Sequence, residues 1–162
     1  MDFEAVKARL ESKLARAKSD RDYAYYAVLY TQLLNGARVS EAVDALREYA
    51  RTGEAKVRVK VRKRKNAERL IVVPNIDLKR VAWILDVDPE KLTNRVEKFA
   101  KSKLGANTHA LRYAFITHLG SRGVSAQLIA KITGHARLDY ILYYTQRAEA
   151  EKLLEDIARG ER

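Results

Sequence analysis

The chain has 162 residues, 47% of them hydrophobic, which is enough for one domain with a substantial core. It contains no cysteine, which excludes disulfides, thiolate catalysis and cysteine-ligated zinc. Lysine and arginine number 32 against 21 aspartates and glutamates, and this net charge of +11 favours a polyanionic partner, with nucleic acid first.

The first part of the chain has helical periodicity. Apolar residues recur at helical spacing over residues 2–18. A second helix is expected to start at Asp20 or Asp22, either of which suits an N-cap, and to end at Asn35-Gly36. Ser40 then occupies an N-cap position for a third helix.

The period changes to two at residues 56–62, where valines alternate with basic residues. This pattern predicts a strand with one apolar and one basic face. A polar turn is expected at 63–68, followed by a second strand at 70–73 that ends at Pro74. A strand at 46–49 would extend the hairpin to a small sheet, although a helix fits those residues equally well.

The remainder of the chain, after Pro74, has the pattern of helices. The predicted segments are a helix from Asp88-Pro89, a helix from Thr108 to about Leu119, a short helix at 125–132, a helical stretch holding Tyr140, Tyr143 and Tyr144, and a charged amphipathic tail at 147–159. We therefore predict one domain, mainly α with a small antiparallel β-hairpin.

No apolar run approaches the roughly 20 residues that a membrane-spanning helix needs. The acidic start of the chain, Met1-Asp2-Phe3-Glu4, differs from the basic-then-apolar pattern of a signal peptide. We therefore expect an intracellular, cytoplasmic protein without a membrane partner.

His109 and Arg112 are the first residues whose spacing indicates chemistry. They lie three positions apart on the predicted helix, so both side chains share one face. An arginine fork and an imidazole donor together suit a phosphate group, although such a pair also fits an ordinary basic helix. His118 lies about half a turn away around the helix and should not join them.

Two groups of residues resemble the signature of the tyrosine recombinase family of phage, bacterial and archaeal integrases, over about residues 25–146. The family's C-terminal motifs are an H-x-L-R helix, an L-G-H helix end and a tyrosine nine residues later. Its upstream motif is roughly T-G-x-R-x-S-E. The matching residues here are His109-Ala110-Leu111-Arg112, Thr133-Gly134-His135, Tyr144-Thr145 and Asn35-Gly36-Ala37-Arg38-Val39-Ser40-Glu41.

This resemblance implies a role for each matching residue. Tyr144 would be the nucleophile that forms a 3′-phosphotyrosyl link and frees a 5′-hydroxyl. Arg38 and Arg112 would hold the non-bridging oxygens, while His109 and His135 would assist by hydrogen bonding and proton transfer. Such chemistry requires neither a metal nor ATP, so no cofactor is expected. Tyr143 and Tyr140 are neighbouring candidates, but the spacing from His135 and the following Thr145 select Tyr144.

The family's general acid is a lysine in the hairpin turn, commonly flanked by glycines that this chain replaces with basic residues. Lys65 is the favoured candidate, Lys63 follows closely, and Lys60 is a further alternative. Seven of the ten residues at 56–65 are basic, which indicates a ribbon for phosphate contacts or, more simply, a solvated face. The expected DNA-binding residues are Arg58, Lys60, Arg62 and Arg64.

The resemblance further implies double-stranded DNA recombination sites as the partner, a homo-tetramer on synapsed DNA and a monomer in isolation. Residues 1–162 would form the catalytic domain without the additional N-terminal DNA-binding domain of relatives. The tail at 147–162 resembles a C-terminal helix that is exchanged between protomers. The open alternatives are a type IB topoisomerase, a non-catalytic DNA-binding module and a protein-interaction domain.

Overall fold

The computed structural model describes residues 1–61, 66–135 and 137–160, with the backbone alone at Ala148. The helices are α1 (Phe3–Arg16), α2 (Asp20–Asn35), α3 (Val39–Thr52), α4 (Leu78–Val81), α5 (Pro89–Leu104), α6 (His109–Ser121), α7 (Ala126–Thr133) and α8 (Leu138–Ala158), with a 3₁₀ helix at Ala82–Asp86. The strands β1 (Lys56–Lys60) and β2 (Glu68–Val72) pair antiparallel. The prediction of a mainly helical chain with one antiparallel hairpin is therefore confirmed. In these ranges no helix is both long and apolar enough to cross a membrane.

Two predicted helix starts are wrong by one to three residues. Ser19, and neither Asp20 nor Asp22, caps α2, because its hydroxyl accepts the Asp22 N–H at 3.1 Å. The sequence does not rank these three cap-forming side chains. Helix α3 begins at Val39 with Arg38 as its N-cap, before the predicted cap Ser40, and arginine is not a residue type that marks a helix start.

Other predicted helix ends are confirmed. The Asp88 carboxylate accepts the Lys91 N–H at 3.1 Å and caps α5, with Pro89 at the first helical position. Ser125 caps α7 in the same way. Residues 46–49, for which strand and helix were both open, belong to helix α3.

Helix α2 is the centre of the core. Eleven of its sixteen residues are buried, and α1, α3, α5 and α6 all pack against it. The hairpin adds its apolar face to this core: Val57 pairs with Ile71, and both are buried, while Arg58 and Lys60 point outward. The strand alternation read from the sequence therefore places the basic face in solvent.

Helices α6 and α8 cross closely at a glycine. A Cβ atom at Gly120 would lie 2.9 Å from Thr145 Cβ, closer than side chains pack, so the crossing requires glycine. The tyrosine stretch and the charged tail, predicted as separate helical segments, form the single helix α8. Its second half is exposed, including the apolar side chains of Leu153, Leu154 and Ile157.

Candidate active site

A fully buried carboxylate, Glu41, lies among three arginines. The Glu41 oxygens are 3.2 Å from Arg38 Nη1, 3.6 Å from Arg112 Nη1 and 3.7 Å from Arg69 Nη1. One carboxylate offsets one of the three positive charges, so the cluster keeps an excess positive charge. Arg69 and Arg112 are almost completely buried, whereas a quarter of the Arg38 side chain is exposed. The group is therefore suited to receive an anion from the side of Arg38.

The turn between α2 and α3 brings Arg38 to this cluster. Gly36 has a φ of +59°, and a Cβ atom there would lie 2.2 Å from Phe115 on α6. The turn can therefore press directly against the helix that carries Arg112. The Arg38 N–H donates to the Glu41 carboxylate at 3.0 Å, so the first turn of α3 fixes both side chains.

Asn35 and Arg69 attach the hairpin to the site, and neither was predicted as a functional residue. The Asn35 amide group donates to Val72 O at 2.9 Å and accepts from Val72 N at 3.0 Å, like one more strand residue. Arg69 donates to the backbone carbonyls of Gly36, at 3.3 Å, and Asn35. Burial lowers the pKa of Arg69 to about 10, with Glu41 opposing that shift. Arg69 pairs with Val59 across the hairpin, and Val59 faces inward, so the strand pattern puts Arg69 on the buried face. This was the one signal in the sequence for the burial of Arg69.

Arg112 and His135, both predicted as site residues, are in direct contact. Arg112 Nη2 lies 3.0 Å from His135 Nε2 and 3.1 Å from Nδ1. Burial, followed by the charges of Arg112, Arg38 and Arg69, lowers the pKa of His135 to about 4. Burial and the charge of Arg38 likewise lower the pKa of Arg112 to about 10, so Arg112 is charged and His135 neutral at pH 7.

His109 lies at the edge of this group. It is exposed in the first turn of α6, and its ring centroid is 6.4 Å from that of Tyr113. The predicted cap Thr108 makes no side-chain cap bond; the neighbouring Asn107 side chain accepts the Ala110 N–H at 3.2 Å instead. His118 stacks on Phe3 at 4.1 Å, on a different part of the helix, as predicted.

Tyr144 belongs to an aromatic cluster on α8 and α6. Its ring stacks on Tyr113 at 4.7 Å and meets Tyr140 edge-on at 5.6 Å. Tyr140 also stacks on His135 at 5.7 Å, so Tyr140 lies between Tyr144 and that imidazole, and its hydroxyl contacts that of Tyr113. Burial and the Tyr140 hydroxyl raise the pKa of Tyr144. Tyr143 is 76% exposed.

The hairpin approaches the site through its first strand. A Cβ atom at Gly134 would lie 2.8 Å from Val61 Cγ2, so the end of β1 packs at the turn that precedes His135. Arg58 and Lys60 are exposed on β1. Four residues with predicted roles lie outside the described ranges. They are the general-acid candidates Lys63 and Lys65 and the expected DNA-binding residues Arg62 and Arg64. Among the described residues no three His, Asp or Glu side chains are grouped to hold a metal ion.

Comparisons with known proteins agree on one family. The chain is 41% identical over 137 residues to ORF241 of Acidianus two-tailed virus, whose name assigns it provisionally to the integrases. It is 31% identical over 159 residues to the tyrosine recombinase XerC of Bradyrhizobium diazoefficiens. Each match covers 83% of this chain, but the chain spans only 56% and 48% of those two relatives.

A solved structure shares the fold. The crystal structure of XerA recombinase superposes with a TM-score of 0.52 over 86% of this chain and 57% of the other, at 20% identity. A scan against models of protein families gives no match. The solved structure therefore supports the fold of this chain, and the sequence relatives support its family.

Proposed function

This chain belongs to the tyrosine recombinase family, and we propose that it cleaves and rejoins duplex DNA through a covalent link to Tyr144. The observation that carries the proposal is the arginine cluster around Glu41, with the neutral His135 against Arg112. Arginine forks match the geometry of phosphate oxygens, and the buried carboxylate holds two of the forks in place before any ligand arrives.

The proposed reaction is a transesterification. Tyr144 Oη attacks a backbone phosphorus, a P–O bond to tyrosine forms, and the bond to the 5′-oxygen breaks. The freed 5′-oxygen takes a proton from a hairpin lysine, for which Lys65 is favoured and Lys63 and Lys60 are alternatives. Attack by a 5′-hydroxyl on the phosphotyrosine reverses these steps, so the strand is rejoined without ATP.

The side chains of the cluster would stabilise the charge that develops on phosphorus. Arg38 and Arg112 would donate to the two non-bridging oxygens, and a fixed cationic pair lowers the energy of a pentacoordinate transition state. The raised pKa of Tyr144 means that its hydroxyl must lose a proton as it attacks. His135 is neutral and able to accept that proton, while the exposed His109 is free to hydrogen-bond the phosphate.

The outward face of β1 supports a role in duplex binding. Arg58 and Lys60 are exposed on that face, and Arg62 and Arg64 continue the basic pattern along the chain. Contacts of this kind hold the phosphate backbone and carry no base specificity. We place the protein, as an intracellular DNA-associated enzyme, on double-stranded recombination sites.

The exposed half of α8 supports assembly on DNA. Leu153, Leu154 and Ile157, on the second half of α8, are at least 41% exposed. An apolar helix end of this kind is suited to pack on a second copy. We propose a monomer in isolation and a homo-tetramer on two synapsed duplexes, with the tail at 147–162 exchanged between protomers.

Covalent trapping tests the proposal. The chain is incubated with nicked or phosphorothiolate duplexes carrying candidate sites, and denaturing gels are inspected for a protein–DNA adduct. We expect an adduct with the wild type and with Tyr143→Phe, the adjacent control, and none with Tyr144→Phe. Salt-sensitive binding without an adduct on any duplex would favour a non-catalytic DNA-binding module instead.

A further inference from the structure

A buried hydroxyl lies directly behind His135. Thr133, the last residue of α7, is fully buried, and its Oγ1 is 2.6 Å from His135 Nδ1. The same oxygen donates to Ile129 O at 3.0 Å, one helical turn earlier. The recombinase signature has leucine at this position, so the hydroxyl is a feature of this chain that the signature does not account for.

The single proton of the Thr133 hydroxyl determines which atom donates in the contact with His135 Nδ1. A threonine hydroxyl has one proton, and the Ile129 carbonyl at 3.0 Å can only accept, so we assign that proton to Ile129 O. The Thr133 oxygen must then accept, which requires a proton on His135 Nδ1. Arg112 Nη2 lies 3.0 Å from Nε2 and 3.1 Å from Nδ1, so this guanidinium, which can only donate, does not distinguish the two ring nitrogens.

We infer that Thr133 is a positioning residue that holds His135 as the neutral Nδ1–H tautomer and leaves the lone pair on Nε2. The geometry alone carries this assignment. Its consequence for catalysis rests on the proposed function: Nε2 is then the atom that accepts the proton of Tyr144 Oη as the phosphorus–oxygen bond forms.

The charged groups around the ring agree with a neutral imidazole. Arg112 approaches from α6, Arg38 from the start of α3 and Arg69 from β2, and all three act against a second proton on His135. From α8 the Tyr140 ring stacks on the imidazole at 5.7 Å and limits its rotation. None of these groups accepts a hydrogen bond from Nδ1, so the Thr133 oxygen is the contact that distinguishes the two ring nitrogens.

Nitrogen NMR of the full chain tests the inference without DNA. With ¹⁵N-labelled histidine, we expect His135 Nδ1 at the shift of a protonated ring nitrogen and Nε2 at that of an unprotonated one, at neutral pH. The exposed His109 and the stacked His118 are internal references, and His135→Gln assigns the signals. Thr133→Val, which keeps the shape but lacks the hydroxyl, should move His135 toward the Nε2–H form that free histidine prefers. Thr133→Ser should restore the wild-type pattern.

Two outcomes would overturn the inference: an Nε2–H tautomer in the wild type, or a Thr133→Val spectrum unchanged at His135. If Thr133→Val does not fold, as judged by circular dichroism, the spectra of the wild type and of Thr133→Ser still show which His135 tautomer is present. The yield of covalent adduct is a separate measurement, since the absence of any adduct would contradict the proposed function and leave the tautomer result standing. With an active enzyme, Thr133→Val should slow cleavage by up to about 100-fold, the low end of what one proton-transfer group contributes, and Thr133→Ser should recover the rate.

Discussion

The two halves of the candidate site are built in opposite ways. The arginine half consists of buried side chains from α3, β2 and α6, held by the Glu41 carboxylate and by backbone carbonyls. The tyrosine half lies on α8, where ring contacts among Tyr113, Tyr140 and Tyr144 replace ion pairs. The first half depends on one side chain, because removing Glu41 would leave the buried Arg69 and Arg112 without their carboxylate partner.

The tyrosine half has no comparable constraint. Tyr144 stacks on Tyr113, and Tyr140 lies between Tyr144 and His135. In the proposed reaction Tyr144 would therefore have to reach past Tyr140, by movement of α8 or of its side chains, whereas the arginine side chains could stay in place. We therefore expect phosphate binding to be preorganised and delivery of the proposed nucleophile to be the step that DNA or a second protomer controls.

The largest effect is expected when the centre of the arginine half is neutralised. Glu41→Gln leaves three arginines without their carboxylate and should lower the free energy of unfolding by about 3–5 kcal/mol. Urea denaturation measures this loss in the free energy of unfolding. Glu48→Gln, in an exposed ion pair with Arg51, is the matched control and should cost less than about 1 kcal/mol. Equal losses in the two variants would show that the cluster is not what stabilises this half.

Acid should weaken the arginine half through His135. Its pKa is about 4 in the folded protein against an ordinary 6.5, so the unfolded chain takes up the proton first. The contribution to stability is fully present above pH 6.5 and is lost as the pH falls toward 4. The loss is at most about 3–4 kcal/mol, since the pKa falls from 6.5 to about 4 and one pKa unit corresponds to about 1.4 kcal/mol.

Denaturation at several pH values checks this prediction. His135→Gln should remove that part of the pH dependence, whereas His109→Gln, which changes an exposed histidine, should not. An unchanged pH profile in His135→Gln would contradict burial of a neutral imidazole beside Arg112.

The position of α8 should depend on its crossing with α6. Gly120→Ala places a methyl group 2.9 Å from Thr145 Cβ, and such overpacking typically costs about 1–3 kcal/mol. Because Thr145 adjoins Tyr144, the yield of covalent adduct should fall as well. Arg122→Ala, an exposed change two residues later, is the control and should lie within about 0.5 kcal/mol of the wild type. Wild-type stability in Gly120→Ala would mean that the helices do not cross this closely.

The smallest effects are expected on the outer face of the hairpin. Arg58→Gln and Lys60→Gln should each reduce the salt dependence of DNA binding by about one in the logarithmic slope, with stability unchanged. Titrations at several salt concentrations measure the slope. Lys13→Gln, on the exposed side of α1, should leave the slope of the salt dependence unchanged. Identical slopes in all three variants would remove the hairpin from the DNA contact.

Most of the fold could be predicted from local pattern. Alternation at 56–62 gave the hairpin and its inward face, and Asp88-Pro89 and Ser125 marked helix starts that the structure confirms. The error at Asp20 or Asp22 arose where neighbouring residues compete for one cap, and the error at Ser40 arose because Arg38, the N-cap of α3, is not a residue type that marks a helix start. A continuous α8 also escaped prediction, because charge along the tail does not show whether a helix is interrupted.

The site could be predicted only in part. The resemblance to the recombinase signature identified Arg38, Arg112 and His135, and the structure brings Arg112 into contact with His135. Arginine is usually a surface residue, so the sequence analysis missed Arg69, whose burial depends on pairing with Val59 and on the carbonyls of the α2–α3 turn. The tyrosine cluster likewise depends on packing between distant residues, such as that of Gly120 on Thr145.

The most direct test of the account is to locate the nucleotide on the trapped protein. The adduct is digested with nuclease and trypsin, and the peptide 138–147, which holds Tyr140, Tyr143 and Tyr144, is fragmented in a mass spectrometer. The account predicts a nucleotide on Tyr144, carried to the phosphate by movement of α8. A nucleotide on Tyr140, the tyrosine stacked on His135, would show that no such movement is needed and would contradict the assignment of the nucleophile.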